Sequence, residues 1–405
     1  MAPIFWVTSA SAYHQAVLIA IVPVLCEVFQ TDIGTIGVLV GGGLALSAAA
    51  VWVWGKIAHR FGLLVSLKAA IVGSAVAVTG LSLSAAATLA GLLPAASGLA
   101  AFFAARLLYS ASAPAMLPLG QALAHRSSRT AADLLKDIGR LNGFIGVGRV
   151  AGNLSLPSVV AIGGAPLWLL SGPLPLYLCA LWKLRGARED GQRPEPEAAP
   201  VPRHRTDLPK LATALGIQIT TGLSYILLGP LIQSVLQVGA QQSAALTGLC
   251  LALALVAGTL AQLGVKQLVG RHLLAGQLIA ALLGTGALAW LGFGETFASV
   301  LGATILLAMA TAVVTSVNTT RALCAAPRAD GARAATRVSS VQFAGLALGS
   351  VAGGYLGTWD ISAAFWLASV CFFLAGLIVP LCGSHEPRPD LQHPKPIAQS
   401  DGVST

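Results

Sequence analysis

Long apolar stretches alternate with short polar connections over most of the 405 residues. Each stretch has about the length that an α-helix needs to cross the hydrocarbon core of a bilayer, roughly 20 residues. The pattern predicts twelve spans, at residues 5–28, 33–54, 63–86, 91–122, 141–163, 165–182, 209–236, 243–266, 273–293, 296–317, 336–358 and 361–382. The sequence therefore predicts an all-α, polytopic membrane protein whose first partner is the lipid bilayer.

Composition supports this class of protein. Charged residues make up 10% of the chain, whereas soluble proteins carry about a quarter. The hydrophobic share is 56% and the mean hydropathy is +0.78. The formal net charge of +9 does not indicate a nucleic-acid partner, because the basic residues are spread through short connections rather than gathered on one face.

The basic residues are divided unequally between the two sides of the predicted membrane. Of the 24 lysines and arginines, 22 lie in or beside the even-numbered connections and the C-terminal tail, and the other two are Arg106 and Arg149. The odd-numbered connections carry only acidic charges. Because basic loops stay in the cytoplasm, the even connections and both termini are expected to be cytoplasmic. The alanine-rich composition favours a bacterial inner membrane.

The chain is predicted to consist of two six-helix bundles. A proline-rich, charged stretch at 183–208 reads as a cytoplasmic linker between bundles at 1–182 and 209–382, and residues 383–405 are expected to be a disordered cytoplasmic tail. An internal repeat supports the division: GVGRVAGN (146–153) is similar to LGSVAGG (348–354) at an offset of 201 residues. This alignment places Arg149 opposite Ser350. Two such halves predict a site at their interface, near the bilayer midplane.

No cofactor, metal or enzymatic motif is predicted. The six cysteines are scattered, without a C-x-x-C pair and without histidine at ligand spacing. The chain has no P-loop, no H-E-x-x-H and no nucleophile elbow. We therefore expect a non-enzymatic protein.

The connection between the second and third spans reads GKIAHRFG (55–62). Gly55, Arg60 and Gly62 have the spacing of the pattern G-x-L-a-D-R-x-G-R-R, and His59 stands at its acidic position. That pattern is the signature loop of the major facilitator superfamily, which the chain resembles. The resemblance implies a conformational latch at this loop. A protonated histidine, however, cannot replace an acid that faces a helix N-terminus.

The fourth span, ARLLYSASAPAMLPLGQALA (105–124), resembles a second pattern of the same family, R-x-x-Q-G-x-G-A-A-x-x-x-P. Arg106 stands at its arginine, Tyr109 replaces its glutamine and Pro118 stands at its proline. The resemblance implies that Arg106 and Tyr109 belong to the substrate or coupling site. Together with the order of the motifs along residues 5–382, it also implies the twelve-helix fold of the family.

The fifth-span segment GVGRVAGN resembles the G-P-x-x-G-G element of antiporting members of the family. Gly148 and Gly152 match this element, Arg149 replaces its proline and Asn153 its last glycine. The resemblance implies export rather than import.

Three basic or titratable side chains are predicted inside the membrane, where a charge is costly and is retained mainly in cavities or pairs. Arg106 lies near the middle of the fourth span, Arg149 about 12 Å deep in the fifth, and His14 about 14 Å deep in the first, beside Gln15. No carboxylate accompanies them in the interior of a span. Such a set favours an anionic or oxygen-rich ligand.

Each of these residues has an alternative interpretation. Arg106 could bond backbone carbonyls at a helix break near Pro114, and Arg149 could extend to the membrane surface. His14 could be a neutral histidine bonded to a neighbouring helix. Its ordinary pKa of about 6.5 also suits proton coupling.

Further candidates lie in the first hairpin and the seventh span. Glu27 is a candidate for proton handling or a merely interfacial acid, and Asp32 is the predicted N-cap of the second span. Polar residues of the seventh span could line the C-terminal wall of the site or form helix-to-helix hydrogen bonds; they are Gln218, Thr220, Thr221, Tyr225 and Gln233.

The sequence as a whole predicts a monomeric secondary transporter that works by alternating access and uses the proton gradient. Export of a small organic metabolite, such as a siderophore or a drug-like compound, is the preferred hypothesis. The alternatives are a proton-linked importer of an organic acid and a non-transporting membrane sensor.

Overall fold

The computed structural model describes residues 2–127, 131–186, 208–268, 273–325 and 331–382. Most of the predicted linker and the predicted tail 383–405 lie outside these ranges, so both domain boundaries stay predictions. The first half of the described chain folds into α1 (Ala2–Ala20), α2 (Val22–Val28), α3 (Ile33–Phe61), α4 (Leu63–Leu89), α5 (Ala95–Ser112), α6 (Met116–Ser127), α7 (Ala131–Ala161) and α8 (Leu174–Leu184). The second half folds into α9 (Leu208–Leu236), α10 (Ala240–Leu268), α11 (Leu273–Gly292), α12 (Phe297–Ala325), α13 (Gly331–Trp359) and α14 (Ile361–Cys382).

These helices confirm the all-α membrane fold. Within the described residues, ten helical segments are long and apolar enough to cross a membrane, and the bent pair α1–α2 makes an eleventh. The predicted eleventh span, α13, is also long enough to cross a membrane, at 29 residues, but it is more polar than the segments just counted. It packs against both α3 and α9, so protein covers much of its surface. Counting α13 gives the twelve predicted spans.

Three predicted spans are not continuous α-helices; in the sixth, the 3-10 segment Pro166–Ser171 precedes α8. The first bends by 64° between α1 and α2, where Pro23 stands in the first turn of α2 and has no N–H for a helical hydrogen bond. In the fourth, a 3-10 turn at Ala113–Ala115, with Pro114 at its centre, separates α5 from α6. The predicted N-cap of the second span is confirmed, since the backbone N–H of Thr35 donates to Asp32 Oδ1 over 2.7 Å.

The two halves repeat one helix contact. In the first half, α7 packs on α1 so closely that a Cβ on Gly148 would meet the carbonyl oxygen of Ser9, and one on Gly152 would lie 2.6 Å from that of Tyr13. In the second half, α13 packs on α9 in the same way. A Cβ on Gly349 would meet the carbonyl oxygen of Ile219, and one on Gly353 would lie 2.8 Å from the Cα of Leu223. The glycines are 201 residues apart and their partners 210, as a duplicated bundle requires.

The halves also meet each other along two seams. In the first seam, α3 crosses α13, and a Cβ on Gly37 would lie 2.6 Å from the carbonyl oxygen of Ser350. In the second, α7 crosses α10, and a Cβ on Gly248 would lie 2.5 Å from the carbonyl oxygen of Asn153. At both crossings side chains larger than glycine would push the helices apart.

We call the end of the bundle that carries the lysine- and arginine-rich connections the basic side, and the other end the acidic side. The described contacts between halves lie in the parts of α3, α10 and α13 that are nearer the acidic side. In a further contact between the halves, a Cβ built on Gly229 of α9 would lie 2.7 Å from the ring of Pro23 on α2. The two halves are therefore closed on each other towards the acidic side.

Candidate functional site

A buried aromatic and cationic cluster occupies the interior of the first half. The ring of Tyr109 on α5 lies 4.3 Å from the imidazole of His14 on α1, centroid to centroid. The guanidinium carbon of Arg106, one turn earlier on α5, lies 5.6 Å from the same ring. All three residues are fully buried. Tyr109 thus brings together the two predicted site residues that sequence alone could not connect.

Arg106 is held among small groups that leave its charge uncompensated. Gly43 of α3 faces it, since a Cβ there would lie 2.9 Å from Arg106 Nε and 2.7 Å from the hydroxyl of Ser110. Within the described residues, none of the three guanidinium nitrogens has a hydrogen-bond partner, and neither has the Ser110 hydroxyl. The bonding of Arg106 to backbone carbonyls near Pro114 is therefore absent from this part of the chain. A buried cation without an acceptor is energetically costly.

His14 is in a similar position. The backbone of Leu170 lies beside its imidazole, but neither ring nitrogen has a hydrogen-bond partner of acceptable geometry among the described residues. The bond from His14 to a neighbouring helix stays a prediction, and Leu170, in the 3-10 segment Pro166–Ser171, is the neighbour that lies in position for it. The imidazole packs against the ring of Tyr109.

The Tyr109 hydroxyl anchors the cluster to α1. It donates to the carbonyl oxygen of Ser11 over 3.1 Å and lies 3.2 Å from the Ser11 hydroxyl. Tyr177 of α8 lies beside the same two residues and is fully buried. Sequence reasoning missed Ser11, Gly43 and Tyr177, because nothing in the spacing of residues on separate helices indicates that they meet.

Arg149 lies apart from this cluster, between the two halves. One face of α7 is buried, and at 3.6 residues per turn Arg149 shares this face. Its buried residues are Leu141, Gly148, Gly152, Asn153 and Leu156. The lipid-facing side of α7 is a different stripe, which contains Val147 and Leu154. Arg149 is nevertheless exposed. Because Arg149 lies one turn from Asn153 on the basic side of the Asn153–Gly248 contact, we interpret its exposure as a cleft between α7 and α10.

The remaining residues predicted for the substrate site do not join the cluster. Gln15 on α1 is half-buried. Gln218 on α9 lies at the contact with α13, where its Cβ would be 2.8 Å from a Cβ on Gly345. Tyr225 packs against the hydrophobic core. The hydroxyls of Thr220 and Thr221 both donate to the carbonyl oxygen of Ile217 on their own helix, so they do not make the predicted helix-to-helix bonds.

Glu27 and the predicted latch lie at the ends of the bundle. Glu27 is exposed on the last turn of α2, in the position of an interfacial acid. Residues 55–61 form the final turns of α3, where Gly55, His59 and Arg60 are exposed. Gly62 alone separates α3 from α4 and has φ of +93°, a conformation that favours glycine. The predicted latch thus consists of the C-terminal turns of α3 and of Gly62, the single residue that links α3 to α4.

In the described part of the chain no group of three or more His, Cys, Asp or Glu residues could hold a metal ion. Four cysteines with described side chains are free thiols, namely Cys26, Cys179, Cys250 and Cys371.

The fold and the two cationic positions can now be set beside known proteins. The sequence profile described as Major Facilitator Superfamily matches residues 4–328, so the chain belongs to this family of membrane transporters. No curated protein sequence matches the chain significantly.

Solved structures of the same fold include transporters of several kinds. The inward-open xylose transporter XylE from E. coli has a TM-score of 0.71 at 16% identity, covering 96% of this chain and 97% of its own. The nucleoside transporter NupG has a TM-score of 0.71 at 11% identity, covering 95% and 99%. A bacterial homologue of the lysosomal transporter Spinster, inward-facing and occupied, has a TM-score of 0.69 at 12% identity, covering 94% and 96%. At these identities the likeness concerns the fold.

Proposed function

We propose that this transporter carries a small anionic or oxygen-rich organic metabolite by alternating access. One observation carries the proposal: the membrane-spanning part of the described chain holds an unpartnered buried arginine, Arg106, and a cleft arginine, Arg149, with no carboxylate beside them. Glu27 is the only acid within the eleven apolar segments, and it is exposed at the end of α2. Guanidinium groups bind carboxylate and similar oxygen groups with paired hydrogen bonds.

The two arginines suit successive stages of binding. Arg149 is exposed in the cleft and can meet an anion from the aqueous phase. Arg106, with His14 and Tyr109, lies sealed in the first half, where a ligand would have to displace packed groups to reach it. The missing acceptors around Arg106 and His14 are the sites that ligand oxygens would satisfy.

The closed acidic side supports an orientation for this state. If the basic side is cytoplasmic, as the distribution of lysine and arginine favours, the cleft at Arg149 opens to the cytoplasm. A substrate that is collected there and released on the far side would be exported. We further propose a bacterial inner-membrane location, cytoplasmic termini and a monomeric carrier.

Proton coupling is part of the same proposal. His14 is the only titratable base near Arg106 in the described structure, and Glu27 is exposed away from the cluster. Protonation of His14 would place a second positive charge against the ring of Tyr109, close to Arg106. Export driven by an inward proton gradient would then require acid on the side to which substrate is released, and a symporting importer would show the opposite direction of flux.

Counterflow in proteoliposomes with a panel of anionic metabolites tests the substrate class. The variants Arg106→Met, His14→Ala and Arg149→Gln are each expected to reduce exchange at least tenfold, by about 1.4 kcal/mol or more of lost binding. Arg140→Gln is the matched control, because Arg140 is an exposed arginine on α7 that lies 3.9 Å from Asp137. Equal activity of all four variants, or flux of neutral solutes only, would refute the proposal.

Siderophore export is the most specific form of the proposal, since hydroxamate, catechol and carboxylate groups are rich in oxygen acceptors. We expect a deletion strain and an Arg149→Ala strain to secrete less chelator than the parent strain. Unchanged secretion in both strains would remove siderophores from the candidate substrates.

A further inference from the structure

Arg149 stands next to the contact between the two halves. In this state its side chain is exposed, although it stands on the α7 face that is buried at Asn153 and Leu156, one and two turns nearer the acidic side. Those turns already pack on Gly248 of α10. Closing the basic side would continue this contact along α7 and bring Arg149 against α10.

The surfaces that would then surround Arg149 carry no negative charge. In the described structure α7 packs against α1, α6, α10 and the 3-10 segment Pro166–Ser171. None of these four segments contains aspartate or glutamate. On α7 itself, Asp137 lies three turns away and is next to Arg140. Arg149 has no ion pair within the described residues.

Closure without a ligand would therefore bury a permanent cation that has no counter-charge, and that step is unfavourable. An anion bound to Arg149 removes this penalty, because the guanidinium and the anion would enter the closed state as a pair. The penalty applies equally to the outward step and to the return of the empty carrier, since both pass through the closed state.

We propose that Arg149 is an anion subsite that must be occupied before the basic side can close, and that the protein therefore works as an obligate anion exchanger. This inference rests on the proposed substrate class and alters the return step of the proposed cycle: the carrier returns with an anion rather than with a proton alone, and any proton on His14 would travel together with that anion. The exchanged solutes share one chemistry, an oxygen anion small enough to lie between α7 and α10. Net flux of a single anion in one direction would be slow.

Distance measurement between spin labels tests the closure step without knowledge of the substrate. Gly143 on α7 and Gly264 on α10 lie towards the basic side, and a Cβ on either would meet nothing within 4 Å. Nitroxides at these two positions, in full-length protein whose native cysteines are replaced by alanine, report the width of the cleft by electron–electron resonance.

Without ligand, the labelled parent is expected to populate the wide distance almost entirely. Arg149→Gln should lower the ratio of wide to narrow populations by about tenfold or more, since it removes the buried charge. Arg140→Gln should leave the ratio unchanged. An Arg149→Gln distribution identical to that of the parent overturns the inference, provided that its melting temperature shows that the variant is folded.

Efflux from proteoliposomes tests the exchange mode. Vesicles are loaded with radiolabelled succinate, citrate or phosphate and diluted into buffer with or without the same anion outside. The parent is expected to release label about tenfold faster with external anion, whereas Arg149→Gln should have lost this dependence. Equal efflux from the parent with and without external anion contradicts obligate exchange. Absence of efflux for every anionic probe contradicts the proposed substrate class instead, and the spin-label result still decides the closure step.

Discussion

Arg149 and Ser350 stand at equivalent places in the two halves, each directly after a glycine that packs on the first helix of its own half. Arg149 is exposed, whereas Ser350 is buried and its carbonyl oxygen faces Gly37 across the seam with α3. The same equivalence places His14 opposite Ser224, which donates to the carbonyl oxygen of Thr220 over 2.8 Å. At these equivalent positions the first half therefore carries the basic side chains of Arg149 and His14, whereas the second half carries the hydroxyls of Ser350 and Ser224.

The buried polar groups of the cluster and those at the start of α9 also differ in their hydrogen bonding. The first half carries side chains that lack partners and are suited to a ligand. The polar groups described near the start of α9 are instead bonded within the second half, since Lys210 Nζ donates to the carbonyl oxygen of Arg321 over 3.1 Å and Asn318 Nδ2 to that of Lys210 over 2.9 Å. These contacts join α9 to α12 within the second half.

Exchanging the equivalent residues gives the largest expected effect. Ser350→Arg would bury an unpaired cation between α3, α9 and α13, and we expect it to destabilise the protein by about 3 kcal/mol or more. Arg149→Ser should change stability by less than about 0.5 kcal/mol, because Arg149 is exposed. Thermal unfolding in detergent measures both. A Ser350→Arg variant as stable as the parent would mean that the α3–α13 seam tolerates an arginine at position 350 as well as the α7–α10 seam tolerates Arg149.

The two buried cations should respond in opposite ways to neutral substitution. Arg106→Met removes an uncompensated charge and is expected to stabilise the fold by about 1–4 kcal/mol while abolishing anion exchange. Lys210→Met removes a bonded ammonium and is expected to destabilise by about 1–3 kcal/mol. Melting temperatures of both variants decide the matter. Destabilisation by Arg106→Met would indicate that the guanidinium is already compensated.

The glycine crossing of the closed seam is expected to have the next largest effect. Gly37→Ala would force a Cβ against the carbonyl oxygen of Ser350 and the Cα of Gly354 and should cost about 1–3 kcal/mol. Gly42→Ala, on the same helix, is the control, since its nearest neighbour would be Phe103 at 3.8 Å. The distance between nitroxides at residues 143 and 264 should also shorten in Gly37→Ala if loosening the acidic side favours closure of the basic side. Equal melting temperatures for both variants would contradict the close crossing.

The smallest expected effect concerns the anchor of the cluster. Tyr109→Phe keeps the ring between His14 and Arg106 but loses the hydrogen bond to Ser11, at a cost of about 1 kcal/mol. Tyr177→Phe is the comparison, because the Tyr177 hydroxyl has no partner of acceptable geometry within the described residues and its loss should be nearly neutral. A larger loss of stability in Tyr177→Phe than in Tyr109→Phe would show that the Tyr177 hydroxyl, and not that of Tyr109, anchors the cluster.

Periodicity and charge predict most of the fold, because spanning length and positive-inside asymmetry are properties of single segments. The glycine repeat at 146–153 and 348–354, which supported the division into halves, coincides with the close packing of α7 on α1 and of α13 on α9, since glycines one turn apart favour close helix packing. The 64° bend at Ile21 escaped prediction, although Pro23 is visible in the sequence, because a proline alone does not fix whether a span bends or breaks.

The site was less predictable than the fold. Arg106, His14 and Tyr109 could be nominated singly from depth and motif, but their meeting depends on how α1 and α5 are turned about their axes. The seventh-span hydroxyls could equally face a pocket or their own helix, and only coordinates separate these cases. The exposure of Arg149 is a property of one conformation, which no local pattern encodes.

Gly62 has a mechanical consequence. A single residue joins α3 to α4, and its amide donates to the carbonyl oxygen of Ala58 over 3.0 Å while its own carbonyl accepts from the Ser66 hydroxyl over 2.8 Å. The one-residue link therefore leaves α3 and α4 little freedom to move independently. Any tilt of α3 against α13 is passed on directly to α4, whose outer surface carries Val65, Val72, Val76 and Leu83 towards lipid. We therefore expect the surrounding bilayer to resist or assist movements of this hairpin.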